Sequence, residues 1–337
     1  MALYVGGTMN FGDNAEATPE EGDVWYNDGM FYFGTSQTFP SAWFAGGNLA
    51  TARRLLAAAG TQAAGLCMGG SGSGGTLYDD TEEYDGTSWS GGGDLITERQ
   101  GLAGAGTQSA GLCFGGKDDS AIRGEYVNTE EYNGTSWSAG GDLSEAREQL
   151  AGCGSQSAAL SVGGASWPEG TPFTEEYDGT SWSSGGSITA RDKLAGCGTV
   201  SAGLVFGGAM ASDKTEEYNG TSWSNGGDLI TGRWSLSGAG TQTAAVCMGG
   251  YSEKDETELY DGTSWSAGSD LLGGRNGAAG CGTQSTALCI GGHQPYQLSQ
   301  YTNTTEEYRA DVVFRESNRS PDASYALFSA SQGLGGE

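Results

Sequence analysis

The 337-residue chain contains 62 Gly, 42 Asp and Glu but only 15 Lys and Arg, so its formal net charge is −27 and its pI is near 4.1. This charge balance excludes nucleic acid and anionic membrane surfaces as partners, because both require clustered cations. No apolar run approaches the roughly 18 residues of a membrane-spanning helix, so no membrane insertion is expected. The first residues have no basic or apolar region of a secretory signal.

The first predicted element is an N-terminal hairpin. It runs from Val24 to Phe33 around Asn27-Asp28-Gly29, a turn sequence that tolerates positive φ. We expect residues 1–36 to form a segment separate from the rest of the chain.

From about residue 43 the chain repeats the pattern of Thr81-Glu82-Glu83-Tyr84-Asp85-Gly86-Thr87-Ser88-Trp89 together with an Arg and a Gly-Gly pair. Each Arg precedes its Gly-Gly pair by 16 residues in all six copies, and Tyr precedes Trp by 5. Only the stretch from Gly-Gly to Tyr varies, between 11 and 17 residues, so one connection absorbs the length differences. The recurring Trp and Arg residues are Trp43, Trp89, Trp137, Trp182, Trp223, Trp265, Arg53, Arg99, Arg147, Arg191, Arg233 and Arg275.

Each repeat is interpreted as four short strands. In the second copy these are 101–106, 109–114, 129–132 and a strand that starts at Trp137, with Asn133-Gly134 as the hairpin signal between the last two. Tyr132 and Trp137 then share one face, which we expect to be buried against the next sheet. Four-stranded units repeated six times at 41 to 48 residues are typical of a β-propeller.

The order of these features resembles the kelch repeat over about residues 40–308. The resemblance implies an all-β, six-bladed kelch-type β-propeller, although the five-residue spacing from Tyr to Trp is shorter than kelch repeats usually have. The expected organisation is an N-terminal hairpin segment at 1–36, the propeller at 37–310 and a C-terminal tail at 311–337.

The breaks in the pattern predict how the ring closes. The last copy has Arg275 and Thr305 to Tyr308 but Val313 in place of Trp, whereas the first copy has Trp43 without the preceding strand. We therefore expect the strand around Trp43 to complete the blade that begins at Arg275, which removes two exposed sheet edges.

The first Glu of the motif is present in all six copies and alternates onto the Tyr/Trp face. We expect a structural ring in which each Glu accepts from an Arg or from backbone amides; the alternative is an anion site made by arginines in the channel. The six residues are Glu82, Glu130, Glu175, Glu216, Glu258 and Glu306.

Few residues could carry catalysis. The seven Cys occupy two repeat positions that other copies fill with Ala, Ser or Val, which indicates packing, and no C-x-x-C metal spacing occurs. His293 is the sole histidine and is expected to be a solvated loop residue, since one His builds neither a triad nor the copper site of galactose oxidase, a kelch-propeller enzyme. We expect a non-enzymatic protein without cofactor or metal, and a glycan-acting enzyme is the more distant alternative.

The variable connections are the expected binding surface, because length-tolerant loops on a rigid scaffold commonly carry binding. Their aromatic side chains suit a sugar ring or a protein partner, unless they pack down over the blades. Carboxylates in the loops keep Ca²⁺ binding as an alternative, although their spacing matches no known calcium-binding loop. The candidate ligand-binding residues are Tyr78, Tyr126, Trp167, Phe173, Tyr251, His293, Tyr296 and Tyr301.

The segment from Glu21 to Phe33 resembles the short Gly-Asp-x-Trp-Tyr-Asn hairpin modules of bacteriophage tail fibres, and the repeat resembles kelch-like proteins of marine phages. This implies a virion structural protein, a tail fibre or surface appendage, assembled in the cytoplasm of the bacterial host. Its partners would be other virion proteins through the N-terminal segment and a host surface glycan or protein, and an oligomer stays open. The alternative is a cytoplasmic kelch scaffold that binds a protein partner.

Overall fold

The computed structural model describes residues 24–27, 30–33, 37–39, 41–119, 124–166, 169–294, 301–310 and 312–314. The chain divides into two compact units, residues 43–308 and residues 1–42 with 309–337. In the unit of residues 1–42 and 309–337, Val24–Asn27 pairs with Met30–Phe33, as predicted, and Gln37–Phe39 pairs with Val312–Phe314. The rest of the predicted N-terminal segment and C-terminal tail lies outside the described residues.

Residues 43–308 form a six-bladed β-propeller, which confirms the predicted fold. Each blade is a four-stranded antiparallel sheet, and the first strands contact one another around the axis. The first five blades are, in order, Ala57–Thr61, Ala64–Met68, Thr81–Tyr84 and Trp89–Gly91; Gln100–Thr107, Ala110–Lys117, Thr129–Tyr132 and Trp137–Ala139; Ala151–Ser155, Ala158–Val162, Thr174–Tyr177 and Trp182–Ser184; Ala195–Thr199, Ala202–Phe206, Thr215–Tyr218 and Trp223–Asn225; Ser237–Thr241, Ala244–Met248, Thr257–Tyr260 and Trp265–Ala267. A small hairpin (Ala165–Ser166 with Glu169–Gly170) and a 3₁₀ turn (Ser73–Gly75) lie in two of the variable connections.

The sixth blade closes the ring with a strand from the start of the repeats. Its order is Ala279–Gly282, Ala287–Ile290, Thr305–Arg309 and Ala42–Ala45, so the closure predicted around Trp43 is confirmed. The Trp43 ring lies 5.1 Å from the ring of Tyr308. The buried indole nitrogen of Trp43 has no hydrogen-bond partner among the described residues.

The Tyr/Trp face of each outer hairpin packs against the preceding blade. In blade 2, Tyr132 pairs with Trp137; the Tyr132 hydroxyl donates to Glu83 Oε1 at 2.7 Å, and Trp137 Nε1 donates to Thr81 Oγ1 at 2.9 Å. The same Trp-to-Thr bond links the other blades except at Trp43. In the five motifs that have a second Glu, this residue faces the next blade, on the side opposite to the first Glu; blade 5 has Leu259 there.

Glutamines at the hairpin between the first two strands fasten neighbouring blades together. Gln108 Nε2 donates to the carbonyls of Gly65 and Tyr84 in the preceding blade. The equivalent Gln makes the same pair of bonds in four other blades. Blade 4 has Val200 at this position.

The inner strands need glycine because the blades converge near the axis. A Cβ at Gly104 would lie 2.9 Å from the carbonyl oxygen of Ala58 in blade 1, and one at Gly152 would lie 2.8 Å from the carbonyl oxygen of Gly104. These close approaches explain the glycine at this position in five blades, whereas blade 1 accommodates Ala58 there.

Candidate ligand-binding site

The repeat arginines are buried in ion pairs. All six pair with the first Glu of their repeat, for example Arg53 with Glu82 at 2.7 Å and Arg147 with Glu175 at 2.6 Å. The guanidinium groups are at most 5% exposed. The alternative of an arginine-lined anion channel is therefore wrong, because these side chains are enclosed within the blades with a carboxylate partner.

The carboxylate also holds the chain that enters the blade. The amide of Ser144 donates to Glu175 Oε2 at 2.9 Å, and equivalent amides donate to the other five carboxylates. Burial lowers the pKa of Arg147, an effect that the charge of Glu175 opposes. The six pairs thus have a structural role: they attach each incoming connection to the third strand of its blade.

A closed ring of backbone hydrogen bonds surrounds the axis where the first strands begin. It is formed by the second residue after each repeat Arg, whose amide donates to the carbonyl of the equivalent residue in the preceding blade at 2.6 to 3.0 Å. This end of the propeller carries the variable connections, because those connections and the first-strand entries lie at the same end of the antiparallel blades. We call the six residues the rim: Leu55, Gly101, Gln149, Lys193, Ser235 and Gly277.

All six rim residues have a left-handed backbone, with φ between 51° and 64°. Glycine adopts this conformation freely, whereas other residues lose about 1 kcal/mol or more. Gly101 and Gly277 show that the rim position accepts glycine, yet the other four blades carry a side chain at this position. These four blades therefore place a side chain on a backbone conformation that glycine would adopt more easily.

Two positions that flank the rim vary from blade to blade: the first differs in all six blades, and the second repeats only Ala, in two blades. The residue after each repeat Arg is Arg54, Gln100, Glu148, Asp192, Trp234 or Asn276, and the residue after each Gly-Gly is Ser71, Lys117, Ala165, Ala209, Tyr251 or His293. These two residues are backbone neighbours in each blade. We call these twelve residues together with the rim the channel mouth. The strands of the blades are similar in sequence, so the variation between copies lies in the channel mouth and in the variable connections at the same end.

The rim carries polar side chains in three successive blades (Gln149, Lys193 and Ser235) and small or apolar residues in the other three. Lys117 Nζ pairs with Glu148 Oε1 at 2.9 Å, and Gln149 Nε2 donates to Glu148 Oε2 at 3.3 Å. Lys193 Nζ lies 3.7 Å from Asp192 Oδ2. Between the rim residues is a cavity of about 110 Å³ that is lined by all six blades, small beside the roughly 300–1,000 Å³ of typical ligand pockets. A ligand would therefore lie over the channel mouth and insert at most a small group.

One blade contributes an aromatic stack. The rings of Trp234 and Tyr251 are parallel within 15°, with centroids 3.9 Å apart. Lys193 Nζ lies 4.9 Å from the centroid of Trp234. Tyr251 is 50% exposed, so part of the stack is open to solvent.

His293 is partly buried in a polar cluster, which corrects the expectation of a solvated loop residue. Its Nδ1 lies 3.3 Å from Glu253 Oε1, an oxygen that also accepts from Asn276 Nδ2 at 3.0 Å. The imidazole meets the ring of Tyr301 edge-on at 5.8 Å, and Arg54 lies over that ring at 5.3 Å. The backbone bridges to Asn276 and Tyr301 hold the histidine in this cluster, and its Nδ1 has no hydrogen-bond partner among the described residues.

The other loop aromatics have different environments. Tyr78 packs on Gly72, where a Cβ would lie 2.4 Å from the phenol oxygen, and Tyr126 covers Arg99 with 5.2 Å between guanidinium and ring centroid. Phe173 is exposed. Trp167 and Tyr296 lie outside the described residues. The structure thus brings Tyr251, His293 and Tyr301 to the channel mouth.

The thiols and carboxylates of the described residues form no metal or redox centre. All seven Cys are buried and unpaired, and burial raises the pKa of Cys153 to about 12. No group of three or more His, Cys, Asp or Glu side chains in the described ranges is placed to hold a metal ion. No described helix is long and apolar enough to cross a membrane.

No protein-family model matches the chain, and no curated protein matches it. The rim was missed by sequence reasoning, which concentrated on the long connections. Aligning the six copies column by column could have revealed it, because the residue after each Arg is different in all six copies while the Arg itself is constant.

Proposed function

We propose that this protein is a non-enzymatic binding protein whose ligand contacts the channel mouth. The observation that carries the proposal is a ring of varied side chains at one end of the propeller, four of which occupy a left-handed backbone that glycine would adopt more easily. A scaffold of repeated blades whose residues vary at one end is suited to recognising a ligand with side chains held on rigid elements.

We further propose that the propeller is kelch-type and serves in a bacteriophage virion, as a tail fibre or surface appendage that contacts the host surface. This part rests on the resemblance of residues 21–33 to tail-fibre hairpin modules and of the repeat to phage kelch-like proteins. The N-terminal segment would bind other virion proteins, and assembly would take place in the bacterial cytoplasm.

Mass spectrometry of purified particles tests the virion role, and absence of the chain from particles would refute it. Labelled protein binding to host cells tests the channel mouth. We expect the double variant Gln149→Ala with Lys193→Ala to lose binding, whereas Lys214→Ala, a surface variant outside the channel mouth, binds normally. Equal binding by both variants would exclude the channel mouth as the site.

A cellular scaffold that binds a protein partner is the second candidate. Three exposed aliphatic side chains, Ile96, Ile230 and Leu272, occupy nearly the same repeat position near the variable connections, and Met210 is also exposed. Exposed apolar side chains of this kind suit a protein surface. Adjacent portal, tail or capsid genes would favour the virion role over this candidate.

A further inference from the structure

We infer that the Lys193–Trp234–Tyr251 stack is a subsite for a neutral sugar ring, a hexopyranose unit that lies on the open face of Tyr251. The inference rests on the proposed binding role of the channel mouth and specifies which residues contact the ligand and what chemistry they select.

The first step concerns the stack itself. Trp234 is enclosed between the Lys193 ammonium on one side and Tyr251 on the other, at 4.9 Å and 3.9 Å from its centroid. The backbone fixes this arrangement, because the amide of Tyr251 donates to the carbonyl of Trp234 at 2.8 Å. Tyr251 is thus an oriented, half-exposed ring with little rotational freedom left to lose on binding.

The second step concerns the charge of the ligand. The net charge of −27 disfavours an anionic ligand. At the stack the positive charge of Lys193 is balanced by Asp192 at 3.7 Å, so neither charge is left unpaired to select a charged ligand. A neutral ring with an apolar face remains, and a pyranose has such a face formed by its C–H groups.

The third step concerns hydroxyl recognition. Ser235 follows Trp234 directly, and with Gln149 and Lys193 it lines the polar side of the central cavity. Glu253 follows Tyr251 closely in sequence, and its carboxylate accepts a hydrogen bond from Asn276 of the neighbouring blade. Aromatic surface beside such donors and acceptors matches the alternating C–H and O–H groups of a sugar. Among the described residues, no other blade pairs two aromatic side chains at the positions after Arg and Gly-Gly.

The test is an array that presents neutral hexopyranose oligosaccharides, sialylated or sulfated glycans, and Arg-rich or trimethyllysine peptides to the full chain. We expect binding to neutral glycans, loss of about tenfold or more in affinity for Tyr251→Ala, and near-normal affinity for Tyr251→Phe, which keeps the ring. Phe44→Ala is the matched control, because Phe44 has similar exposure (46%) on the outermost strand of blade 6.

Several results would overturn the inference: binding only to acidic glycans, binding only to peptides, neutral-glycan binding that Tyr251→Ala leaves unchanged, or no binding to any neutral glycan. If host-cell binding persists and depends on Gln149 and Lys193 while the array stays silent, the sugar inference fails but the proposed binding function stands. If host-cell binding is itself absent or independent of the channel mouth, the proposed function fails.

Discussion

At the scale of single residues, five of the six repeat arginines join three parts of a blade, whereas Arg191 donates, among the described residues, only to the Thr189 carbonyl and the Glu216 carboxylate. The guanidinium of Arg147 donates to the carbonyls of Gly163 and Phe173 and to the Glu175 carboxylate, all within the buried interior. A buried ion pair of this kind adds little net stability over an apolar pair, but removal of one partner leaves the other charge unpaired in a low-dielectric environment. Its presence in every blade therefore specifies how the entering chain meets the sheet.

Arg147→Ala should lower the free energy of unfolding by about 3–5 kcal/mol, because it leaves the buried Glu175 carboxylate without its cation. Glu175 would keep the hydrogen bond from the Ser144 amide, and the Ser161 hydroxyl would lose the bond that it accepts from Arg147. Urea denaturation measures this loss. Lys214→Ala removes an exposed pair with Asp228 and should leave the midpoint unchanged. Unchanged stability of Arg147→Ala combined with lost ligand binding would instead favour a binding role for the arginine.

Rim side chains make a second residue-scale prediction. Gln149→Gly and Gln149→Ala delete the same side chain, but only glycine relieves the left-handed backbone at φ 53°. We expect the Gly variant to be more stable than the Ala variant by about 1 kcal/mol, the reverse of their order in a helix. Denaturation curves of the two variants test this. An Ala variant at least as stable as the Gly variant would show that the backbone at residue 149 is not strained.

At the scale of elements, thiols fill small volumes within the first and second strands. Cys153, Cys197 and Cys281 occupy a first-strand position that holds Ala in the other blades, and Cys113 and Cys247 are in second strands beside the buried ion pairs. Burial raises the pKa of Cys113 and of Cys247 to about 12. These thiols therefore stay protonated in the folded protein at pH values that ionise them in the unfolded chain.

Stability should fall as pH rises from about 9 toward 12. Because the folded pKa values lie above the ordinary value of 9.0, the folded state holds protons that the unfolded chain releases in this window, and the stabilisation present below pH 9 is lost. Tyr84 and Tyr260, with pKa values raised to about 12 mainly by burial, add to the loss above pH 10. Urea unfolding at pH 7, 9, 10 and 11 measures it.

The triple variant Cys153→Ala, Cys197→Ala and Cys281→Ala provides the comparison, since Ala occupies this position in other blades. Its stability should decline less steeply over the same pH range. If the free energy of unfolding of the wild type stays constant up to pH 11, the thiols ionise equally in the folded and unfolded states.

At the scale of the whole molecule, the spacing of Arg, Gly-Gly, Tyr and Trp was enough to predict blade number, strand order and closure. Those features follow from local patterns repeated along the chain. The left-handed backbone at residues such as Leu55 and Ser235 and the hydrogen bonds between blades could not be predicted, although an alignment of the copies shows the variation beside the rim. The same limit applies to His293, whose partner Glu253 belongs to another blade.

Ring closure makes a prediction at this scale. Deletion of residues 1–47 removes the Ala42–Ala45 strand and the bond from the Gly46 amide to the Thr305 carbonyl, whereas deletion of residues 1–40 keeps both. We expect the longer deletion to lose a single cooperative transition in calorimetry and to associate through its open sheet edge. The shorter deletion should unfold in one transition, and equal behaviour of the two would show that the strand is dispensable.

The ring of rim peptides contributes little net electric field along the channel at this end of the propeller. Its six N–H···O=C units run head to tail around the axis, so their dipoles circulate and largely cancel rather than summing along the channel as they do in a helix. A bound molecule would therefore meet a field set by the side chains alone. Exchange of one blade's mouth residues could then change ligand preference without altering the backbone beneath.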